Sequence, residues 1–154
     1  MPMVFGISQE DDPDKHVKNK GSERVVPVHP ALVELGLLDH HKRMSVENQK
    51  WLFPEIKTDS HGSRAGRYSG FYGAYIAHIG EADRSINFHS FRHGFADALR
   101  HTGFLDHEFS FLLGHTQNNV TGRYGALQEG DLARRVQIIG RVAYPDLDLP
   151  ALKA

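Results

Sequence analysis

Apolar residues alternate or run in short bursts at the start of the chain and then recur at helical spacing. Met3-Val-Phe-Gly-Ile7 is short and apolar and predicts a strand. Acidic and glycine-bearing residues follow as a turn, and Arg24-Val-Val-Pro-Val28 predicts a second strand. Pro27 has no N–H to donate, which suits an edge. Pro30 fits the first turn of a helix carrying Leu32, Val33, Leu35 and Leu37, with Gly36 close to its end. Residues 39–62 show no clean period: Trp51-Leu-Phe-Pro54 is an apolar anchor and Thr58 to Gly62 a loop.

From Ser63 to about Ile79, Tyr68, Phe71, Tyr72, Tyr75, Ile76 and Ile79 recur at helical spacing, although Gly66, Gly70 and Gly73 each weaken that helix. Phe91, Phe95, Ala98 and Leu99 form a stripe between His89 and Gly103, the latter placed to end the helix. Asp106 is positioned to cap a short helix through Phe109, Phe111, Leu112 and Leu113, which Gly114 stops. A turn rich in Asn and Gly leads to Tyr124, and Gly130-Asp131 precedes a last helix with Leu132, Val136, Ile138 and Ile139. These elements predict an α+β domain, mostly α-helical, with a small antiparallel β-sheet.

Composition changes this picture little. The 154 residues suffice for one domain with a core. The absence of cysteine excludes disulfides and thiolate chemistry and fits a reducing, cytoplasmic setting. No apolar run approaches a membrane span, and the N-terminus lacks the plan of a signal peptide. A net charge of −1 argues mildly against DNA as a partner, but acids at Glu10, Asp11, Asp12 and Asp14 are followed directly by Lys15, Lys18, Lys20 and Arg24. The eleven histidines can add positive charge beside phosphate.

Chemistry concentrates after residue 88. His89-Ser-Phe-Arg92-His93 is followed by Leu112-Leu113-Gly114-His115 and then by Arg123-Tyr124. His89 and Arg92 lie three apart, so a helix projects them from one face. An arginine fork matches two phosphate oxygens, and a histidine adds a further donor. Free tyrosine ionises near about pH 10, so Tyr124 needs a base or a cationic site to act as a nucleophile. His89 and His93 also have the spacing of a zinc helix, but no Glu lies between them and no third ligand is evident, which disfavours a metal.

The ordered set from His89 to Tyr124 resembles the catalytic C-terminal domain of the tyrosine recombinases, the phage-integrase family. Ser22-Glu-Arg-Val-Val-Pro-Val-His-Pro30, with lysines just before it, resembles that family's hairpin with its catalytic lysine, and Leu52-Phe53-Pro54 the link that follows. The resemblance implies a tyrosine recombinase catalytic-domain fold, incomplete at its N-terminus, over residues 1–154. Within it, 1–28 form a β-hairpin region, 29–146 a helical part with the active site, and 147–154 a tail. It implies Tyr124 as nucleophile, Arg92, His89 and His115 as phosphate-binding groups, and Lys18 as the proton donor, with Lys20 an open alternative. It implies double-stranded DNA and other recombinase protomers, four on DNA in the full-length enzyme, as partners, no cofactor or metal, and no membrane. A nucleoid-associated protein of a bacterium or phage, serving a mobile element, is the expected setting.

One part of the family pattern is not met. A first catalytic arginine belongs two dozen or more residues before the hairpin lysine, and Arg24, Arg43 and Arg64 all come after it. The chain is therefore expected to be the C-terminal part of a site-specific recombinase, inactive alone. The alternatives are a non-catalytic remnant that binds DNA or an integrase, and a type IB topoisomerase relative.

Overall fold

The computed structural model describes residues 2–8, 23–81, 83, 85–114, 131–148 and 151. Among these described residues, two strands and six helices follow in the order β1 (Val4–Ile7), β2 (Arg24–Pro27), α1 (Pro30–Glu34), α2 (Leu37–Val46), α3 (Arg64–His78), α4 (Ser90–His101), α5 (Asp106–Leu113) and α6 (Asp131–Ile139). The protein is thus α+β, mostly helical with one small antiparallel sheet, as its apolar pattern predicts. Two compact units are present, one of residues 1–35 with 95–154 and one of residues 36–94, and the division falls within α4.

The first unit holds the core. β1 and β2 pair antiparallel with Val4 opposite Pro27 and Ile7 opposite Arg24. Pro27 stands at the end of its strand, where its missing N–H costs nothing, and the Val28 N–H beyond it donates to Met3 O at 2.9 Å. Ala96 and Leu99 of α4, Phe109 and Leu112 of α5, and Ile138 and Ile139 of α6 form one buried cluster, with Val26, Phe95, Phe104, Phe111, Leu113 and Val142 packed on it.

Local sequence explains the helix ends. His29 caps α1: its Nδ1 accepts from Ala31 N at 3.1 Å, and its Nε2–H donates to the Val142 carbonyl at 3.1 Å. α4 ends in a Schellman motif, with Gly103 at φ +91, its N–H on Arg100 O and the Phe104 N–H on Leu99 O. The N-cap of α5 lies one residue before the expected one. Leu105 takes the N-cap position and Asp106 instead receives a fork from Arg100, with Nε–Oδ1 and NH2–Oδ2 both 2.7 Å. The cap's own N–H is satisfied by Glu108 Oε2 at 2.9 Å, and Glu108 Oε1 accepts from Arg134 at 2.8 Å.

Two arginines tie the sheet to the helices. Arg24 of β2 donates through Nε to Leu112 O at 3.1 Å, at the end of α5. Arg135 of α6 is buried, donates to Val25 O at 2.9 Å and lies over the Phe111 ring at 4.7 Å. Desolvation lowers the Arg135 pKa, opposed by Asp131 one turn away. Arg135 thus takes an inward place on α6, whereas Val136, read from the period as a core position, is 37 % exposed.

The second unit is thinner, with Met44 its one buried apolar residue among those described. α2 falls in the stretch where no period was evident. It starts from Gly36 in the left-handed region (φ +86), and His40 fastens it by Nε2–H to Leu52 O at 2.6 Å while stacking on Phe53. Arg64 at the start of α3 bonds Ile56 O and lies 4.3 Å over the Trp51 ring. Ser63 caps α3 by accepting from Gly66 N at 2.9 Å, and Asp59 Oδ1 in turn accepts from Ser63 N at 2.8 Å. Gly66 is required here, because a Cβ would collide with the Asp59 carboxylate.

Two stability measurements follow from these contacts. Gly114 sits at φ +71, and a Cβ on it would lie 2.6 Å from Arg24 NH1. Gly114→Ala is expected to cost about 1–2 kcal/mol from the left-handed backbone alone, and more from displacing Arg24. In an Arg24→Ala background the penalty falls towards the backbone part, read as a double-mutant cycle from urea midpoints. A backbone-only effect would give the same penalty in both backgrounds.

The Leu105 N–H first, and then Arg134, hold the Glu108 carboxyl below its ordinary value of 4.5. A lowered folded-state pKa stabilises above the unfolded value and loses that contribution as pH falls through the folded value. The advantage of the native chain over Glu108→Gln should therefore be constant from pH 7 to about 5 and shrink below about 4.5, followed by urea unfolding across that range.

Candidate active site

His89 and Arg92 meet at an open bay in the second unit. The bay, about 580 Å³, is lined by Ser69, Tyr72 and Gly73 of α3 and by residues 86–89, Phe91 and Arg92 at the start of α4. Both residues of the pair line it, His89 just before α4 and Arg92 in its first turn. Arg92 is half-buried as a residue, and its guanidinium has no hydrogen bond or ion pair among the described residues. The His89 ring touches His93 edge to face, with centroids 5.1 Å apart. Among the described residues no three His, Cys, Asp or Glu side chains are grouped as metal ligands.

A short polar network sets the entry to α4. The His89 N–H donates to Asn87 Oδ1 at 2.8 Å, and the Asn87 N–H donates to Ser90 Oγ at 3.0 Å. Asn87 Nδ2 and Ser90 Oγ both donate to Ser85 O, at 3.2 and 3.3 Å. Ser85 N–H donates to Asp83 Oδ1 at 2.8 Å, and that bond holds the Asp83 carboxyl low. Asn87 and Ser90 did not stand out among the chemistry-bearing residues. Their signal was present: an Asn and a Ser flanking the first residues of a helix are its usual start mark.

The apolar stripe of α4 divides between two jobs. Ala96, Ala98 and Leu99 are buried, whereas Phe91, its expected first member, is 58 % exposed and faces the bay. With α3 the result is similar, since none of its residues is buried. Tyr68, Tyr72, Phe88 and Phe91 instead form a chain of ring contacts with centroids 5.1–5.9 Å apart.

His115 and Tyr124 lie outside the described residues, as do Lys18 and Lys20. The structure does describe what leads up to His115. α5 runs to Leu113, and Gly114 turns the chain out of the helix, with Arg24 packed where a side chain would be. Arg24, which the sequence places in the second strand, has by its contact to Leu112 and Gly114 a structural task beside the Leu-Leu-Gly-His run.

Chemically, the bay offers an arginine fork and an imidazole at the start of a twelve-residue helix, whose N-terminal end favours anions. The surroundings favour an anion as well. Residues 36–94 carry eight Lys and Arg against six Asp and Glu, with six of the eleven histidines, although the whole chain is slightly acidic. No described helix is long and apolar enough to cross a membrane.

Neither the characterised proteins nor the solved structures searched gave a match to this chain. The model of the phage integrase family matches residues 12–130, a span that contains the His89–Arg92 rim together with Lys18, His115 and Tyr124. With more than three-quarters of its length so matched, the chain belongs to the phage integrase family, the tyrosine recombinases.

Proposed function

We propose that the chain is the strand-cutting part of a site-specific DNA recombinase, acting through a 3′-phosphotyrosine at Tyr124. The observation that carries this reading is Arg92: a half-buried cation without an anionic partner among the described residues, on one bay with His89, within the matched span. A cation so placed leaves its planar fork free to take an anion that the bay admits. A phosphodiester is such an anion, and its non-bridging oxygens gain charge in the transition state, where the arginine holds them most tightly.

In the proposed step, the Tyr124 oxygen attacks phosphorus and the bond to the 5′-oxygen breaks. The tyrosine proton passes to a neutral histidine of the pair His89 and His115. Lys18, or Lys20 in its place, protonates the departing 5′-oxygen. The covalent link conserves the phosphodiester, so a 5′-hydroxyl from another strand reverses the step without ATP or metal. Four protomers on two duplexes would then exchange strands in the cytoplasm, in a nucleoid-associated complex.

Tyr124→Phe should abolish covalent protein–DNA adducts on a nicked trapping substrate, assayed on denaturing gels, while leaving duplex affinity unchanged. Adducts that persist in the Phe variant would remove Tyr124 from its role. If the native chain binds duplex but never forms adducts, the binding-only alternative holds for it.

The lysine has its own test. Lys18→Ala should slow adduct formation by about 10²–10⁴, the usual worth of a general acid. A substrate with sulfur in place of the bridging 5′-oxygen should restore the rate, because a thiolate leaves without a proton. Rescue in Lys20→Ala but not in Lys18→Ala would move the role to Lys20.

A further inference from the structure

The bay is larger than a phosphate needs, and its walls are aromatic. Phe91 is 58 % and Phe88 43 % exposed, although most of the ring contacts they make are with Tyr72, Tyr68 and each other. Those rings meet at 55–75°, so none is stacked parallel on another and faces remain for a further planar group. The Ser69 and Tyr72 hydroxyls have no hydrogen-bond partner among the described residues, and both residues line the bay. Gly73 lines it too, and a Cβ there would meet nothing within 4 Å, so this glycine keeps the space open at a cost in helix propensity.

An ordinary apolar core would bury these rings, and α3 buries none of its residues. An apolar peptide would satisfy the rings but leave Arg92 without a counter-charge. A nucleotide satisfies both, because its base presents a flat face with polar edges and its phosphate an anion. The volume lies within the about 300–1,000 Å³ of small-molecule sites.

We propose that the bay seats one unpaired nucleobase of the bound strand, stacked on Phe91 and Tyr72, with the adjoining phosphate on Arg92 and His89. This rests on the phosphodiester reading of Arg92 and His89. It adds a preference for DNA that offers an extrahelical base beside the contacted phosphate, and it gives the Ser69 and Tyr72 hydroxyls the base edge to bond.

The test uses the full chain and two short duplexes that differ at one position. In one, 2-aminopurine is paired with thymine; in the other it is an unpaired single-base bulge. The bulged duplex should bind about tenfold tighter or more, the worth of one stacked base, and its fluorescence should be quenched on binding. Gly73→Leu fills the open space while improving helix propensity, and circular dichroism checks that α3 is kept. That variant and Phe91→Leu should both lower the affinity for the bulge to that for paired DNA and abolish the quench.

Equal, Arg92-dependent binding of both duplexes without quenching would overturn the base seat and leave the phosphate reading standing. Binding that Arg92→Ala does not weaken would remove the phosphate reading and this inference with it. A quench that survives both variants would place the base elsewhere. A change of oligomeric state in Gly73→Leu, with the quench intact, would make the bay a protein contact instead.

Discussion

The β-hairpin depends on two arginine-to-carbonyl bonds that cross between it and the helices in opposite directions. A two-stranded sheet is marginal by itself in water. Here β2 sends Arg24 out to Leu112 O at the end of α5, and α6 sends Arg135 in to Val25 O. Arg135 also spreads over Phe111, so its charge is held by a carbonyl, a ring and a distant Asp131 carboxylate at 3.7 Å, where an apolar side chain would only pack. Truncating it would leave Val25 O without that donor and open a gap against the core, a costlier change than losing a surface ion pair. The Arg24 bond also holds the backbone at the end of α5, which His115 follows in sequence.

Stability and chemistry are distributed unequally along one helix. The C-terminal part of α4 supplies Ala96, Ala98 and Leu99, all buried, and finishes in a fully bonded Schellman motif. Its first turn supplies Arg92 and the exposed Phe91, held by a polar network of Asn87, Ser90, Ser85 and Asp83. Side-chain caps of this kind fix direction with few apolar contacts. The second unit, with one buried apolar residue among those described, is therefore shaped by caps and ring contacts more than by core. Such construction leaves the bay open, since its walls are not needed to keep water out of a core.

The strands and the helices α3 to α6 were legible because each carries a period and a punctuating residue: Pro27, Ser63, Gly103, Gly114. α2 was not, because Leu37-Leu-Asp-His-His-Lys-Arg-Met44 buries only its last residue and depends on His40 reaching Leu52 O, a tertiary bond no period records. The cap of α5 was misplaced by one residue because Asp106 had a better use, pairing with Arg100 across the Gly103 turn. For the site, the spacing of His89 and Arg92 was enough to place both on one bay, while the family motif alone named Tyr124, His115 and Lys18, which lie outside the described residues. Phe91 shows the limit of the pattern: an apolar residue in register with a core stripe is indistinguishable in sequence from one at the mouth of a bay.

The glycines of α3 bring these threads together. Counted as propensity they argue against a helix, by about 1 kcal/mol each relative to alanine. The fold offsets that cost at the helix start, where Ser63, Asp59 and Arg64 all bond backbone groups. Gly66 is spent on the close approach of Asp59, and Gly73 on an open wall facing His89 and Arg92. The net charge resolves in the same way. A total of −1 says little, but the cationic balance of residues 36–94 sits in the unit that holds the bay, and the acidic remainder belongs to the unit that holds the core. What looks unfavourable for a helix and neutral for DNA in the whole chain is, at the scale of the bay, open space beside a cation that has no ion pair among the described residues.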